Sequence, residues 1–306
     1  MRPVLWVPDE TPPSASESLG HLAEVHTYPS EGALPPTLGR GDMVVLGGQP
    51  ERGLEVAGRL ERLRYVQTLT AGVDGIVGLT PPDAILCDAA GVHDVAVAEW
   101  VVMMALAGRR RLPEYVDLQR EGRWAPVPLV GDDLNGSTVL LVGIGAIGSA
   151  VEARLLPFGT RIMRIGRRPR DGIYSMGDLV ALLPLADIVV ILVPLTPETT
   201  GVFDARAFAA MRPGALLING SRGRVVDTPA MTVAVLAGRI QVALDVTEPE
   251  PLPAGHPLWS APGALITPHV ASDVRRQEER AWRLVQEQVE RLTRGDPLIN
   301  AVAEGY

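Results

Sequence analysis

The hexapeptide "GIGAIG", residues 143–148, constrains this chain more than any other stretch. It follows an apolar run, "STVLLV", and leads into "SAVEARL", which has the composition of a helix. Glycines are common here, 32 in all, so the triplet alone says little. Strand before and helix after is the context that gives it meaning. In that setting Gly143 permits a tight turn and Gly145 lets the backbone approach a pyrophosphate. Gly148 lets helix and strand pack closely, with Ala146 and Ile147 opening the helix whose N-terminus faces the phosphates. The expectation is a dinucleotide site formed by Gly143, Gly145, Ala146, Ile147 and Gly148.

The motif lies in mid-chain, so a whole domain precedes it. That first part alternates apolar strands ("VLWV", "DMVVLG", "LRYVQTLT", "AILCDA") with helical stretches. A long apolar helix follows from about Val95, suited to burial between domains or in a subunit interface. After the glycines, "RIMRI", "DIVVILV", "ALLING", "QVALDV" and "ALITP" continue the strand series, with helices such as "MGDLVALLPLA" between them. Strands alternating with helices predict parallel sheets covered on both faces. A last helix, from "VRRQEERAW" onward, places Ala281, Leu284, Val285, Val289 and Leu292 on one face and ends at Gly295 and Pro297. The fold class is therefore α/β with two doubly wound domains. A flavodoxin-like substrate domain takes residues 1–94 and 271–306, and an inserted Rossmann cofactor domain takes 95–270.

Composition removes several function classes. The net charge of -8 disfavours nucleic acid and anionic membranes as partners. All 28 basic residues are arginine, which excludes a Schiff-base lysine, a lysine base and a P-loop lysine. Cys87, the one cysteine, excludes an intrachain disulfide and a cysteine-built metal cluster, and its apolar setting reads as core. No metal site is expected. "MRPVLWVPDE" turns polar too early for a signal peptide and no apolar run is long enough to span a bilayer, so the expected location is the cytoplasm.

The strand "RIMRI" ends in Gly166, Arg167 and Arg168, eighteen residues past Gly148. Dinucleotide folds usually carry Asp or Glu roughly 20 residues past the glycines, to accept from the ribose 2′-hydroxyl. Gly166 removes that carboxylate, and Arg167 and Arg168 offer forked donors to a 2′-phosphate. NADPH is the expected cofactor, with NADH possible. Further on, Arg222, Glu250 and His269 each follow a strand, at the edge where open α/β sheets bind ligands. A carboxylate beside an imidazole orients the ring and favours its charged form, the arrangement of a proton donor. Of the five histidines, only His269 has such a setting.

These motifs, with "TAGVDGIV", "VAVAEWVV", "INGSRGRVVD", "ALDVTEPEPLP" and "TPHVAS" in order, resemble the D-isomer-specific 2-hydroxyacid dehydrogenase family. The resemblance implies that Arg222, Glu250 and His269 are catalytic. It implies that Ser221 and Asp245 lie near the nicotinamide and its ribose, that Pro194 lines the cofactor cleft, and that Ala71, Gly72 and Val73 hold a substrate carboxylate together with Arg222. It also implies a homodimer, with the helix near Trp100 and residues 120–126 at the interface, and a small 2-oxoacid reduced to its D-2-hydroxyacid. Gly166 is similar to the NADPH-dependent glyoxylate/hydroxypyruvate reductases of that family. Asp88 departs from the Asn that many members carry there, and Ala71 replaces the lysine of the phosphite-oxidising branch. Two alternatives stand beside this reading. One is a dinucleotide-sensing, corepressor-like interaction protein with little turnover; the other is a formate dehydrogenase, which needs a longer N-terminal region.

Overall fold

The computed structural model describes residues 2–125 and 127–302. The expected interface segment 120–126 therefore ends on a residue, Pro126, outside the described residues. The chain forms two compact units, one of residues 1–93 with 274–306, the other of residues 94–273.

The first unit opens with β1 (Val4–Pro8), α1 (Pro13–Leu22), β2 (Glu24–Tyr28), β3 (Met43–Leu46), α2 (Pro50–Ala57), β4 (Tyr65–Thr68) and β5 (Ile85–Cys87). All pairings are parallel, in the order β2-β1-β3-β4-β5. That is the flavodoxin-like order. Every residue of β1, β3 and β4 is buried, as expected of strands covered on both faces. The edge strands differ: Ile85 of β5 is exposed, and in β2, "EVHTY", only Tyr28 is buried. An edge strand needs no apolar run, which is why the sequence pattern did not disclose β2.

The second unit begins with α3 (Asp94–Arg109) and α4 (Leu112–Arg120). It continues through β6 (Thr138–Val142), α5 (Ala146–Leu155), β7 (Arg161–Ile165), α6 (Leu179–Leu182), β8 (Ile188–Ile191), α7 (Ala205–Ala210), β9 (Ala215–Asn219), α8 (Thr228–Leu236), β10 (Ile240–Leu244) and β11 (Ala264–Ile266). Its parallel sheet runs β11-β10-β9-β8-β6-β7. Beyond β7, Tyr174 makes one parallel bridge to Ile165. Taking Tyr174 as the remnant of a third strand, the order is that of a Rossmann domain with one strand added. The expected helix "MGDLVALLPLA" is instead a 3₁₀ turn, the four-residue α6 and another 3₁₀ turn. Pro184 lacks the N–H that a continuing helix would use.

The chain then returns to the first unit as α9 (Gln277–Arg294), closed by Gly295 at φ 77°. Trp282, Val285 and Val289 pack with Leu5, Val7, Leu19 and Cys87, while Ala281 and Leu284 pack with Ala89 and Val92. Gln288 is buried on this helix as well. Its Nε2 donates to Gln67 Oε1 at 2.9 Å and to the Ile299 carbonyl at 2.7 Å. A buried glutamine is tolerated because it is satisfied on both sides, and no apolar periodicity would reveal it. Among the described residues no helix is long and apolar enough to cross a membrane.

Candidate active site

All strands of the second sheet run the same way, so the loops after β6, β7, β8, β9, β10 and β11 leave from one edge. The chain order reverses between β6 and β8, the position where such sheets bind ligands. The glycine loop sits there. Gly143 has φ 105°, and a Cβ on it would lie 2.5 Å from the Leu192 carbonyl oxygen just past β8. A Cβ on Gly148 would lie 2.2 Å from the Gly143 carbonyl oxygen. Gly145 is different: it precedes α5 and nothing lies within 4 Å of where its Cβ would be. Two glycines thus close the strand onto the helix, and the third leaves open space before the helix N-terminus. That space, at the N-terminus of a helix, fits a dinucleotide pyrophosphate.

After β7, Gly166 is constrained by space as well as by charge. A Cβ there would meet Ile173 Cγ2 at 2.9 Å and Ile144 Cγ2 at 3.2 Å. Ile173 is carried to that place by the turn Arg170–Ile173, whose ends exchange backbone hydrogen bonds of 3.2 and 2.8 Å. Gly172, at φ 76°, lets the turn close. Arg167 and Arg168 are both exposed. The Glu198 carboxyl is held below the ordinary range, chiefly by the Thr196 hydroxyl, with a smaller pull from Arg167. After β8, Pro194 is exposed, and its carbonyl accepts the Thr199 hydroxyl at 2.6 Å.

Three loops after adjacent strands carry the expected chemistry. At the end of β9, buried Asn219 shapes the turn: its Oδ1 accepts from the Ser221 N–H (3.1 Å) and hydroxyl (2.9 Å), and its Nδ2 donates to the Arg222 carbonyl (3.1 Å). Ser221 therefore gives its proton to Asn219 and keeps only acceptor capacity. Arg222 is half-buried, and its Nη1 donates to the Ser221 carbonyl at 2.8 Å. Gly223 lets this turn lie against the next loop, since a Cβ there would meet the Thr247 carbonyl oxygen at 2.0 Å.

After β10, Glu250 Oε1 lies 2.6 Å from His269 Nδ1. The two side chains are 42% and 49% exposed, so the pair is open to a ligand. With Nδ1 engaged by the carboxylate, Nε2 is the nitrogen left to meet substrate. Asp245, by contrast, is buried, and its carboxylate accepts from the Thr267 hydroxyl at 2.6 Å, the Val270 N–H at 2.9 Å and the Ala271 N–H at 2.9 Å. Asp245 was expected beside the nicotinamide; most of its acceptor capacity is spent on the segment that carries His269.

In the first unit, Ala71, Gly72 and Val73 follow β4. Val73 is buried, while Ala71 and Gly72 are partly exposed. Thr68 Oγ1 donates to the Thr70 carbonyl at 2.6 Å and fixes the start of this loop. His26 and His256 have local structural roles. His26 stacks on Trp6 with ring centres 5.0 Å apart, and His256 Nδ1 accepts from the Leu258 N–H at 3.3 Å. Thr267, Asn219 and Ile173 contribute to the site region without having been marked by the sequence, and Trp100, marked only for an interface, donates its indole N–H to Thr267 Oγ1 at 3.1 Å. Thr267 stands inside "TPHVAS", two residues before His269, and that adjacency was the available signal.

A doubly wound sheet with a glycine loop at its reversal point, and an imidazole–carboxylate pair at the same edge, defines a dinucleotide-dependent oxidoreductase. A model of the NAD-binding domain of D-isomer specific 2-hydroxyacid dehydrogenases matches residues 102–271. The chain belongs to that family and is an NAD(P)-dependent oxidoreductase acting on 2-oxoacids and D-2-hydroxyacids. A glyoxylate reductase/hydroxypyruvate reductase of Mus musculus is 38% identical over 72% of this chain and 70% of its own length. The structure of a D-isomer specific 2-hydroxyacid dehydrogenase from Xanthobacter autotrophicus Py2, in complex with NADPH and MES, superimposes with a TM-score of 0.85 at 29% identity, covering 100% of both chains. An NADPH-dependent glyoxylate/hydroxypyruvate reductase of Sinorhizobium meliloti, in complex with NADP and sulfate, gives 0.83 at 28% identity, also covering 100% of both.

Proposed function

We propose that this protein is an NADPH-preferring reductase of small 2-oxoacids such as glyoxylate or hydroxypyruvate. The observation that carries the reading is the 2.6 Å contact between His269 Nδ1 and Glu250 Oε1. It fixes one ring nitrogen and leaves the other to serve as proton donor. Bound NADPH supplies the hydride that reaches C2 of the substrate. Arg222 holds the substrate carboxylate and polarises the C2 carbonyl, and the Ala71, Gly72 and Val73 loop is the proposed substrate-binding element of the first unit. His269 gives its Nε2 proton to the carbonyl oxygen while Glu250 stabilises and orients the ring. Positioning and a preorganised field of charge account for most of the rate.

The preference for NADPH rests on three features: the missing carboxylate at Gly166, the exposed Arg167 and Arg168, and relatives solved with NADPH or NADP. Residues 1–94 and 271–306 act as the substrate domain and 95–270 as the cofactor domain. The working form is a cytoplasmic homodimer. Trp124, Val127 and Val130, at 96%, 73% and 85% exposure, are apolar side chains suited to cover by a second copy. The sensing alternative finds no support in relatives that carry reductase and dehydrogenase names.

The test is a panel of initial rates with NADPH and NADH against glyoxylate, hydroxypyruvate, pyruvate and phenylpyruvate. Turnover that is fastest with NADPH and either glyoxylate or hydroxypyruvate is expected. Cofactor binding without turnover on any of the four would contradict the proposal and favour a sensor.

A further inference from the structure

His269 has a backbone conformation that is uncommon for residues other than glycine. Its φ is 55°, in the left-handed region, which costs a residue with a Cβ on the order of 1 kcal/mol or more. Something must hold it there. The backbone contributes the His269 N–H, which donates to the Asp245 carbonyl at 2.7 Å, and the Thr267 N–H, which donates to the Leu244 carbonyl at 2.8 Å. These bonds pin the start of the segment to β10 but leave its exit unfixed.

The exit is fixed by side chains. Asp245 Oδ1 accepts from the Val270 N–H, and Oδ2 accepts from the Ala271 N–H, both at 2.9 Å. The same Oδ1 accepts the Thr267 hydroxyl at 2.6 Å. The donors therefore bracket His269, one before it and two after. Thr267 Oγ1 in turn accepts from Trp100 Nε1 at 3.1 Å. The direction of this chain is determined, because an indole N–H only donates and a hydroxyl has a single proton. Trp100 donates to Thr267, so Thr267 must donate to Asp245. Trp100 is itself buried in the core that α3 forms with β6, β8 and β9, together with Ala271.

We infer that Asp245, Thr267 and Trp100 form a positioning clamp that sets the aim of the proton donor. Its task is to hold His269 in the left-handed conformation at which Nδ1 meets Glu250 and Nε2 faces the substrate. The inference rests on the proposed role of His269 as proton donor. Thr267 and Trp100 act through the histidine segment, so they are positioning residues. Displacement of a reacting group by about 1 Å can lower a rate on the order of 100-fold, which makes such a clamp measurable in turnover.

The experiment uses the full-length protein with NADPH and hydroxypyruvate and compares Thr267→Val, Thr267→Ser, Trp100→Phe and His269→Ala. Thr267→Val keeps the shape and removes the hydroxyl. It should lower kcat by about 10- to 100-fold while KM for NADPH stays within about 3-fold of the parent. Thr267→Ser, which retains the hydroxyl, should recover most of the loss. Trp100→Phe removes the outer N–H together with part of a buried ring, so its fold is checked by a melting curve; the folded variant should lower kcat by about 5-fold, the worth of one ordinary hydrogen bond, and it keeps the question answerable if the valine variant does not fold. Unchanged kcat in Trp100→Phe and in any folded Thr267→Val, with turnover lost in His269→Ala, would overturn the clamp and leave the proton donor in place. Equal losses in the serine and valine variants would overturn it too. Unchanged turnover in His269→Ala would remove the reading on which it stands.

Discussion

Glu250 holds His269 from the neighbouring strand loop, Oε1 to Nδ1 at 2.6 Å, while both side chains stay open to a ligand. The carboxylate therefore fixes which ring nitrogen is free. Substitution Glu250→Gln keeps an acceptor and removes the charge. It should lower kcat by about 10- to 100-fold, and His269→Ala by more, with NADPH affinity nearly unchanged in both. Steady-state rates combined with NADPH titration by protein fluorescence would check this; a loss confined to KM would place the pair in binding only.

Gly166 is closed by Ile173 and Ile144, with contacts of 2.9 and 3.2 Å to an added Cβ. Introducing the acid typical of NAD-dependent folds therefore meets a packing obstacle as well as two arginines. Gly166→Asp alone should lose NADPH activity and melt lower, by an overpacking cost of about 1–3 kcal/mol. The double variant Gly166→Asp with Ile173→Ala should recover stability and gain NADH use. Efficient NADH use by the single variant would show that space at Gly166 does not matter.

Asp88 directly follows β5. Its Oδ1 accepts from the Ala90 N–H at 2.9 Å, a turn contact that Asn makes equally well. Burial raises the Asp88 pKa above the ordinary value of 3.8, against a smaller opposing effect of the Ala90 N–H. A raised carboxyl pKa means that the folded state holds the proton more tightly than the unfolded one. The stabilising contribution is complete below the unfolded pKa and is lost as pH rises through the raised folded value. Asp88→Asn should therefore melt higher than the parent at pH 8, with the gap closing as pH falls toward 3.8. Melting curves across that range decide; a gap that widens on acidification would contradict the sign.

Cys87 is fully buried on β5, and burial, with a smaller contribution from Asp88, pushes its thiol up to about 11. A thiol so protonated is a poor nucleophile. The native protein should show no reaction with a disulfide reagent at pH 8 over minutes and one equivalent after unfolding. Rapid native labelling would mean that β5 opens readily.

The legible parts of this chain were those with strong local signals. The six strands of the second unit, the glycine loop and the Glu250–His269 pair all announce themselves by apolar runs, spacing or residue type. What stayed hidden was polar and nonlocal. Strand β2 is an exposed edge without an apolar run. Gln67 and Gln288 meet in the core across 221 residues of chain. Ile173 closes over Gly166 only because a turn folds back, and Asp245 proved to be committed to the histidine segment by donors 22 to 26 residues away. No periodicity encodes such meetings; they are set by how the loops pack at the edge of the sheet.

The central claim, an NADPH-preferring reductase, is tested most directly by kcat/KM for NADPH and NADH in the parent and in the Arg167→Ala, Arg168→Ala double variant, with hydroxypyruvate as substrate. The account predicts a clear preference for NADPH in the parent that collapses in the variant through a higher KM for NADPH, with kcat and NADH use little changed. Equal efficiency with both cofactors in the parent, or a preference that survives loss of both arginines, would contradict it.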